Sequence, residues 1–192
     1  MPITFNGNGT VTGLAVGGLP DGTVDADTLA SGVGGKVLQV KQTVKKDTFS
    51  ATVAANAASG DITGLNVSIT PTNASNKILL FPQVSVGEFA SLMYFYKDGS
   101  LITDAIADAS GSLQRATFGS SNSSTTMNLN FGGAYLDTAG GTSAITYSIR
   151  IGSARDSSQT FYINRVWDTD ESYSGRSIAR YISTFTVMEV AA

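Results

Sequence analysis

The pattern of apolar and polar residues divides the chain into two parts. Residues 1–35 contain 9 of the 21 glycines and no apolar run long enough for a helix or a buried strand. From Lys36 onward, strand-like segments follow one another to the carboxyl terminus. The pattern predicts an extended, glycine-rich N-terminal arm over residues 1–35 and an all-β domain over residues 36–192.

Several segments of the domain alternate between apolar and polar residues, as half-buried strands do. The clearest are residues 62–70 and 145–151, and a strand is also predicted at 113–118. Asp98-Gly99 lies between two aromatic or apolar segments and favours a type I′ hairpin turn. We expect a loop at residues 56–61. Strands spaced about 8–15 residues apart, with turn signals between them, predict an antiparallel β-sandwich or jelly roll.

Two segments carry apolar residues on both faces of the predicted strand. Residues 77–81 show no alternation, which predicts burial on both faces. In residues 179–190, Phe185 and Val187 point to one face, and three other apolar residues point to the opposite one. Such a strand needs a second buried surface, which a subunit interface would supply. The candidate interface residues are Ile182, Phe185, Val187, Met188 and Val190.

Composition and charge exclude several classes of function. The chain has no Cys and no His, so we expect no disulfide, no thiolate metal site and no histidine base. Three of its 15 acidic residues lie in residues 1–35, which leaves the domain with 12 acidic and 12 basic residues. A neutral domain lacks the basic surface that nucleic acid requires. We expect no cofactor and no bound metal.

Targeting signals are also missing from the sequence. Met1 is followed by neither a basic region nor an apolar core, so no signal peptide is predicted. No stretch approaches the roughly 18–20 apolar residues of a membrane span, and we expect no membrane insertion.

The arm carries scattered apolar residues that can anchor it in shallow pockets of a partner. We interpret it as a segment that becomes ordered only in a complex, with a disordered tail as the alternative. The predicted attachment residues are Ile3, Phe5, Leu14, Leu19 and Leu29.

The densest candidate binding site is the loop at residues 167–176. It holds the only Trp of the chain beside carboxylates and an Arg, a combination that can cover the apolar face of a sugar and pair with its hydroxyls. Alternatively, Trp167 packs into the core and the acidic residues form a solvated turn, or Asp168, Asp170 and Glu171 bind Ca²⁺. No pattern indicates a catalytic site, and we expect no enzyme activity. The predicted receptor- or glycan-binding residues are Trp167, Asp168, Asp170, Tyr173 and Arg176.

Seven short motifs carry a resemblance to a known class of domain. The motifs are GKVLQV (35–40), DITGLNVSITP (61–71), SNKILL (75–80), YLD (135–137), TYSIR (146–150), YINR (162–165) and STFTVMEV (183–190). Together they resemble a C-terminal β domain found in the fibers of tailed bacteriophages, including marine and freshwater phages, and the likeness spans about residues 34–192.

The resemblance implies a function in host attachment. It implies a homotrimeric, receptor-binding tip of a short tail fiber, located on the virion and contacting host surface polysaccharide. The arm resembles the segments by which fibers attach to baseplate or other tail proteins. Because the chain shows essentially no fiber shaft, a head fiber or capsid-decorating protein is the alternative. A polysaccharide depolymerase and a free lectin-like module are less favoured.

Overall fold

A computed structural model describes residues 4–5, 11–12, 36–87, 90–120, 128–166 and 179–192. The chain separates into two compact units, residues 1–36 and 37–192. In the first unit, strand β1 (Thr4–Phe5) pairs with β2 (Val11–Thr12) in antiparallel orientation.

The second unit consists of short and long strands joined by turns. A 3₁₀ turn covers Thr103–Ala105, and the described residues contain no α-helix. The strands are β3 (Val37–Lys45), β4 (Phe49–Val53), β5 (Ala58–Asp61), β6 (Val67–Ile69), β7 (Lys77–Gly87), β8 (Ser91–Lys97), β9 (Ser100–Leu101), β10 (Phe118–Gly119), β11 (Asn128–Gly132), β12 (Tyr135–Thr138), β13 (Ile145–Ser153), β14 (Gln159–Ile163) and β15 (Ser183–Val190).

These strands form two antiparallel sheets that pack face to face. In the described residues, one sheet has six strands in the order β10-β8-β13-β5, with β6 also on β13 and β9 on β8. The other has seven strands in the order β3-β15-β7-β14-β4, with β11 and β12 also on β7. The prediction of an antiparallel β-sandwich is therefore confirmed.

The long strand β7 organises the seven-stranded sheet. Gln83 of β7 is paired with Thr184 of β15 on one side and with Gly132 of β11 on the other. Nearer the start of β7, Leu79 lies between Met188 of β15 and Leu136 of β12. At one end of this sheet the strand order is therefore β3-β15-β7-β12. This order determines which side chains share the outer face of the sheet.

The core lies between the two sheets and consists of inward-facing residues of the long strands. Phe95 of β8 stacks on Phe185 of β15 with ring centroids 5.9 Å apart, so this aromatic contact joins the sheets directly. The ring of Phe118 is perpendicular to that of Phe95, with ring centroids 5.7 Å apart. The largest fully buried side chains also include Tyr147 and Phe161.

The predicted turn at Asp98-Gly99 is confirmed. Both residues have positive φ, 48° and 79°, and they connect Lys97 of β8 to Ser100 of β9. Asp98 tolerates this conformation, and its Oδ1 accepts a hydrogen bond from the backbone N–H of Thr146 at 2.8 Å.

Three local predictions were wrong. The strand predicted at residues 62–70 covers only Val67–Ile69, because residues 63–64 form a turn. Part of the predicted loop at residues 56–61 is strand β5, whose Asp61 pairs with Arg150 of β13. The Ala-Ser-Gly-Asp sequence of β5 has no apolar pattern, so it gives no local signal for a strand. β5 forms because it pairs with β13, and not because it buries one face. The predicted strand at residues 113–118 is reduced to Phe118–Gly119, and Leu113 is exposed.

Candidate functional site

Most residues predicted from the arm and the 167–176 loop lie outside the described part of the chain. Phe5 lies in β1, where it pairs with Val11. The others, for which the structure gives no placement, are Ile3, Leu14, Leu19, Leu29, Trp167, Asp168, Asp170, Tyr173 and Arg176, together with Glu171.

The five predicted interface residues divide between the two sides of β15. Phe185 and Val187 are completely buried between the sheets of a single chain. Met188 and Val190 alternate with them, face outward and are half-buried, while Ile182, just before the strand, is 58% exposed. β15 therefore has two apolar sides, and the inner side is already buried within one chain. Only the outer side is open to a partner.

An apolar row crosses the outer side of four adjacent strands at the position of Met188. Met188 pairs with Val40 of β3 and with Leu79 of β7, and Leu79 pairs with Leu136 of β12. Val40 is 53% exposed and Leu136 is 51% exposed. Because directly paired residues in an antiparallel sheet project to the same side, these four side chains form one continuous strip.

Neighbouring rows extend this strip along the strands. Phe81, two residues after Leu79, is 42% exposed. Val44 lies four residues after Val40 in β3 and projects to the same side. Val190 lies two residues after Met188 in β15, at the opposite end of the strip. We call this surface the apolar face; it consists of Val40, Val44, Leu79, Phe81, Leu136, Met188 and Val190.

The polar residues within the apolar face are uncharged. Gln42 donates a hydrogen bond from Nε2 to Oγ1 of Thr186 at 2.7 Å, so these two groups satisfy each other inside one chain. Thr184 and Gln83 occupy the next row. The charged residue of β7, Lys77, lies at the end of the apolar face and projects outward. Its Nζ donates a hydrogen bond to Thr138 Oγ1 at 2.7 Å.

Two other outward surfaces in the described part of the sandwich carry polar contacts. On the β4–β14 side of the same sheet, the hydroxyls of Thr52 and Thr160 hydrogen-bond at 2.8 Å, and Arg165 lies over the Tyr162 ring. On the six-stranded sheet, Arg150 stacks over the Tyr96 ring at 3.9 Å and forms an ion pair with Asp61 at 2.6 Å.

The buried carboxylate of Glu189 fixes the strands that build the apolar face. One carboxylate oxygen accepts hydrogen bonds from the backbone N–H and the hydroxyl of Thr72 and from Asn76 Nδ2, at 2.6–2.8 Å. The other accepts from Gln39 Nε2 of β3 at 2.5 Å. Burial acts to raise the pKa of Glu189, but these donors outweigh it and lower the pKa to about 2. The ionised side chain thereby ties β3 to β15 and to the loop before β7.

A second polar contact positions β12 and thus Leu136. Asp137 points inward, where its Oδ2 accepts from Tyr147 OH at 2.7 Å and from Lys97 Nζ at 2.8 Å. Burial raises the pKa of Tyr147, and so does its hydrogen bond to Asp137, which keeps the phenol protonated as a donor. With Asp137 held inward, its neighbour Leu136 must project to the outer side.

The edge strand β3 is held against the other sheet by its own inward side chains. Thr43 Oγ1 donates to the backbone carbonyl of Asn66 at 2.9 Å, and Gln39 Nε2 also donates to the carbonyl of Thr70 at 2.7 Å. These two contacts place β3 beside the ends of β6 and leave Val40 and Val44 on the outer side.

The sequence analysis missed five residues of the apolar face: Val40, Val44, Leu79, Phe81 and Leu136. The unbroken apolar run at residues 77–81 was a usable signal for Leu79 and Phe81. No local signal places β3 and β12 beside β15 and β7, since strand order is decided by contacts between distant parts of the chain.

The described residues offer no obvious centre for metal binding. No group of three or more Asp, Glu, His or Cys residues among them is placed to hold a metal ion. In the same part of the chain, no helix has the length and apolar character needed to cross a membrane. Comparison of the sequence with protein-family models finds no match, and comparison with curated proteins finds none either.

Proposed function

We propose that this protein is a structural component of a tailed-bacteriophage virion, a short tail fiber that attaches through its N-terminal arm. In this proposal, residues 36–192 form a homotrimeric head that contacts polysaccharide on the host surface. The arm, residues 1–35, binds baseplate or other tail proteins. The protein works by assembly and adhesion rather than by catalysis.

One observation carries the proposal: four of the fiber-like motifs meet in the apolar face. Val40 belongs to GKVLQV, Leu79 to SNKILL, Leu136 to YLD and Met188 to STFTVMEV. These segments are far apart in sequence, yet their residues form one row across β3, β15, β7 and β12. The residues that carry the resemblance therefore include those that leave an apolar surface open to a partner, as expected of a subunit of an assembly.

A trimeric head suits adhesion to a repetitive surface. Each copy would contribute weak polar contacts, for which the 167–176 loop with Trp167 remains the predicted site. Three copies per fiber and several fibers per particle would multiply those contacts, so that avidity replaces high affinity at any single site.

Immunogold labelling of virions with an antibody raised against residues 36–192 tests this role. We expect gold particles at the tail. Labelling over the capsid would instead identify a head fiber or capsid-decorating protein, and unlabelled virions would contradict a structural role. A truncated chain lacking residues 1–35 should fold and oligomerise but fail to enter virions; its normal incorporation would contradict the attachment role of the arm.

A second assay separates adhesion from catalysis. Purified protein is incubated with host surface polysaccharide, and soluble products are analysed by size. We expect binding without release of oligosaccharides. Release of oligosaccharides would replace the adhesive function with that of a depolymerase.

A further inference from the structure

We infer that the apolar face is the surface through which copies of this chain pack around the three-fold axis of the oligomer, so that each face contacts both neighbouring copies. The inference deepens the proposed function and rests on its homotrimer, because it assigns the subunit contact to seven named residues of the seven-stranded sheet. It also assigns Phe185 and Val187 to the core of each single chain.

The dimensions of the apolar face indicate that it is covered in the assembled protein. Four strands about 4.8 Å apart give a width of about 19 Å, and the rows from Val44 to Val190 extend about 20 Å along the strands. The face, together with the uncharged polar residues inside it, therefore spans roughly 400 Å². Contiguous apolar patches of a few hundred Å² on soluble proteins are often functional.

The chemistry of the face favours another copy of the same chain as its partner. The rows between Val44 and Met188 project no charged side chain, so a charged ligand would find nothing to pair with. Apart from Lys77 at its end, the surface is uncharged and mainly apolar, which makes it complementary to another of its kind, and every copy of the chain supplies one. The domain has equal numbers of acidic and basic residues, so its net charge does not oppose self-association.

The available area is compatible with a subunit contact. β3 and β12 are the outermost strands at this end of the described sheet, so a rim can be added only along the strands, and one residue at each end gives about 500 Å² per chain. A trimer would therefore bury about 1,500 Å² in total through this face, against the roughly 1,200–2,000 Å² of a stable protein–protein interface. The polar residues inside the face add little cost on burial, because Gln42 and Thr186 already hydrogen-bond to each other.

The geometry of β3 favours contact through the face rather than through the edge of the sheet. The inward side chains of Gln39 and Thr43 reach the backbone of the other sheet across this edge. Lys36, Lys41 and Lys46 are exposed on or beside the strand. Lysines on an edge strand oppose the addition of another strand.

A double variant that places charges on the face tests the inference. Val40→Lys and Leu136→Lys change side chains that are already about half exposed, so the domain should still fold. Full-length protein is examined by sedimentation equilibrium, with circular dichroism to verify the fold. We expect the wild type at three times 19.9 kDa and the variant at 19.9 kDa with an unchanged spectrum. The matched control, Ser50→Lys with Thr52→Lys on the polar side of the same sheet, should remain oligomeric.

Cysteine cross-linking provides a second measurement that does not depend on weakening the contact. The wild-type chain has no Cys, so introduced cysteines are the only thiols present. Val40→Cys with Leu136→Cys places two thiols on strands three positions apart, about 14 Å, which is too far for a disulfide within one chain. Oxidation should therefore yield covalently linked chains, while Ser50→Cys with Thr52→Cys should yield none between chains.

The outcomes separate this inference from the proposed function. A charged variant that keeps the wild-type mass, or cysteines on the face that do not link chains, would overturn the inference and leave the trimer and the virion role standing. A monomeric wild type would overturn the inference and the homotrimer, while virion labelling would still decide the location. Association of the face only with another virion protein, and not with itself, would also overturn the inference.

Discussion

Replacement of Glu189 by Gln is the sharpest test of the polar contact beneath the apolar face. The side chain is fully buried, and its carboxylate oxygens accept four hydrogen bonds from neutral donors on Gln39, Thr72 and Asn76. The amide of Gln preserves the shape of the side chain. It removes the charge, however, and directs an NH₂ group at a neighbouring donor.

The magnitude follows from the pKa of Glu189. The pKa falls from 4.5 to about 2 on folding, a difference that corresponds to about 3 kcal/mol. Because the folded-state pKa is depressed, this stabilisation is fully present above pH 4.5 and is lost as the pH falls towards 2. We therefore expect Glu189→Gln to lower the free energy of unfolding by about 2–3 kcal/mol at pH 7.

The assay is urea unfolding followed by far-ultraviolet circular dichroism at pH 7, 4 and 2.5, at one protein concentration. The difference between wild type and Glu189→Gln should shrink steadily as the pH falls. Asp104→Asn, at an exposed acidic residue, serves as the control and should match the wild type. A variant as stable as the wild type at pH 7, or a difference that does not change with pH, would refute the assignment of a buried, ionised Glu189.

Three further predictions concern other parts of the molecule. Gly87→Ala should destabilise the domain by about 3 kcal/mol or more in urea unfolding, because the new Cβ would lie 2.1 Å from the backbone oxygen of Arg165. Gly60→Ala, where the new Cβ would meet open space, is the matched control. Equal destabilisation by the two variants would contradict this account. Tyr147→Phe should cost about 1–2 kcal/mol through loss of the hydrogen bond to Asp137, measured as a lower thermal midpoint, and an unchanged midpoint would show that the bond contributes nothing. Trp167→Ala should reduce binding to host cells without changing the sedimentation mass, and full binding would exclude the 167–176 loop as the receptor site.

The strand pattern explains why parts of the fold were predictable and others were not. The turn at Asp98-Gly99 was predictable because two adjacent residues that tolerate positive φ suffice to form it. The two apolar sides of β15 were predictable because side chains alternate strictly along a strand. Strand β5 was missed because its polar sequence becomes a strand only by pairing with β13.

The candidate site shows the same division. The sequence by itself determined that β7 and β15 carry apolar residues on both sides, since that depends only on the order of residues along each strand. Which side is buried, with Phe185 stacked on Phe95 and Met188 left outward, was decided by the packing of the two sheets. The alignment of Val40 and Leu136 with Met188 also required the tertiary structure. Strand order depends on contacts between residues about 50 to 150 positions apart, and no local pattern encodes them.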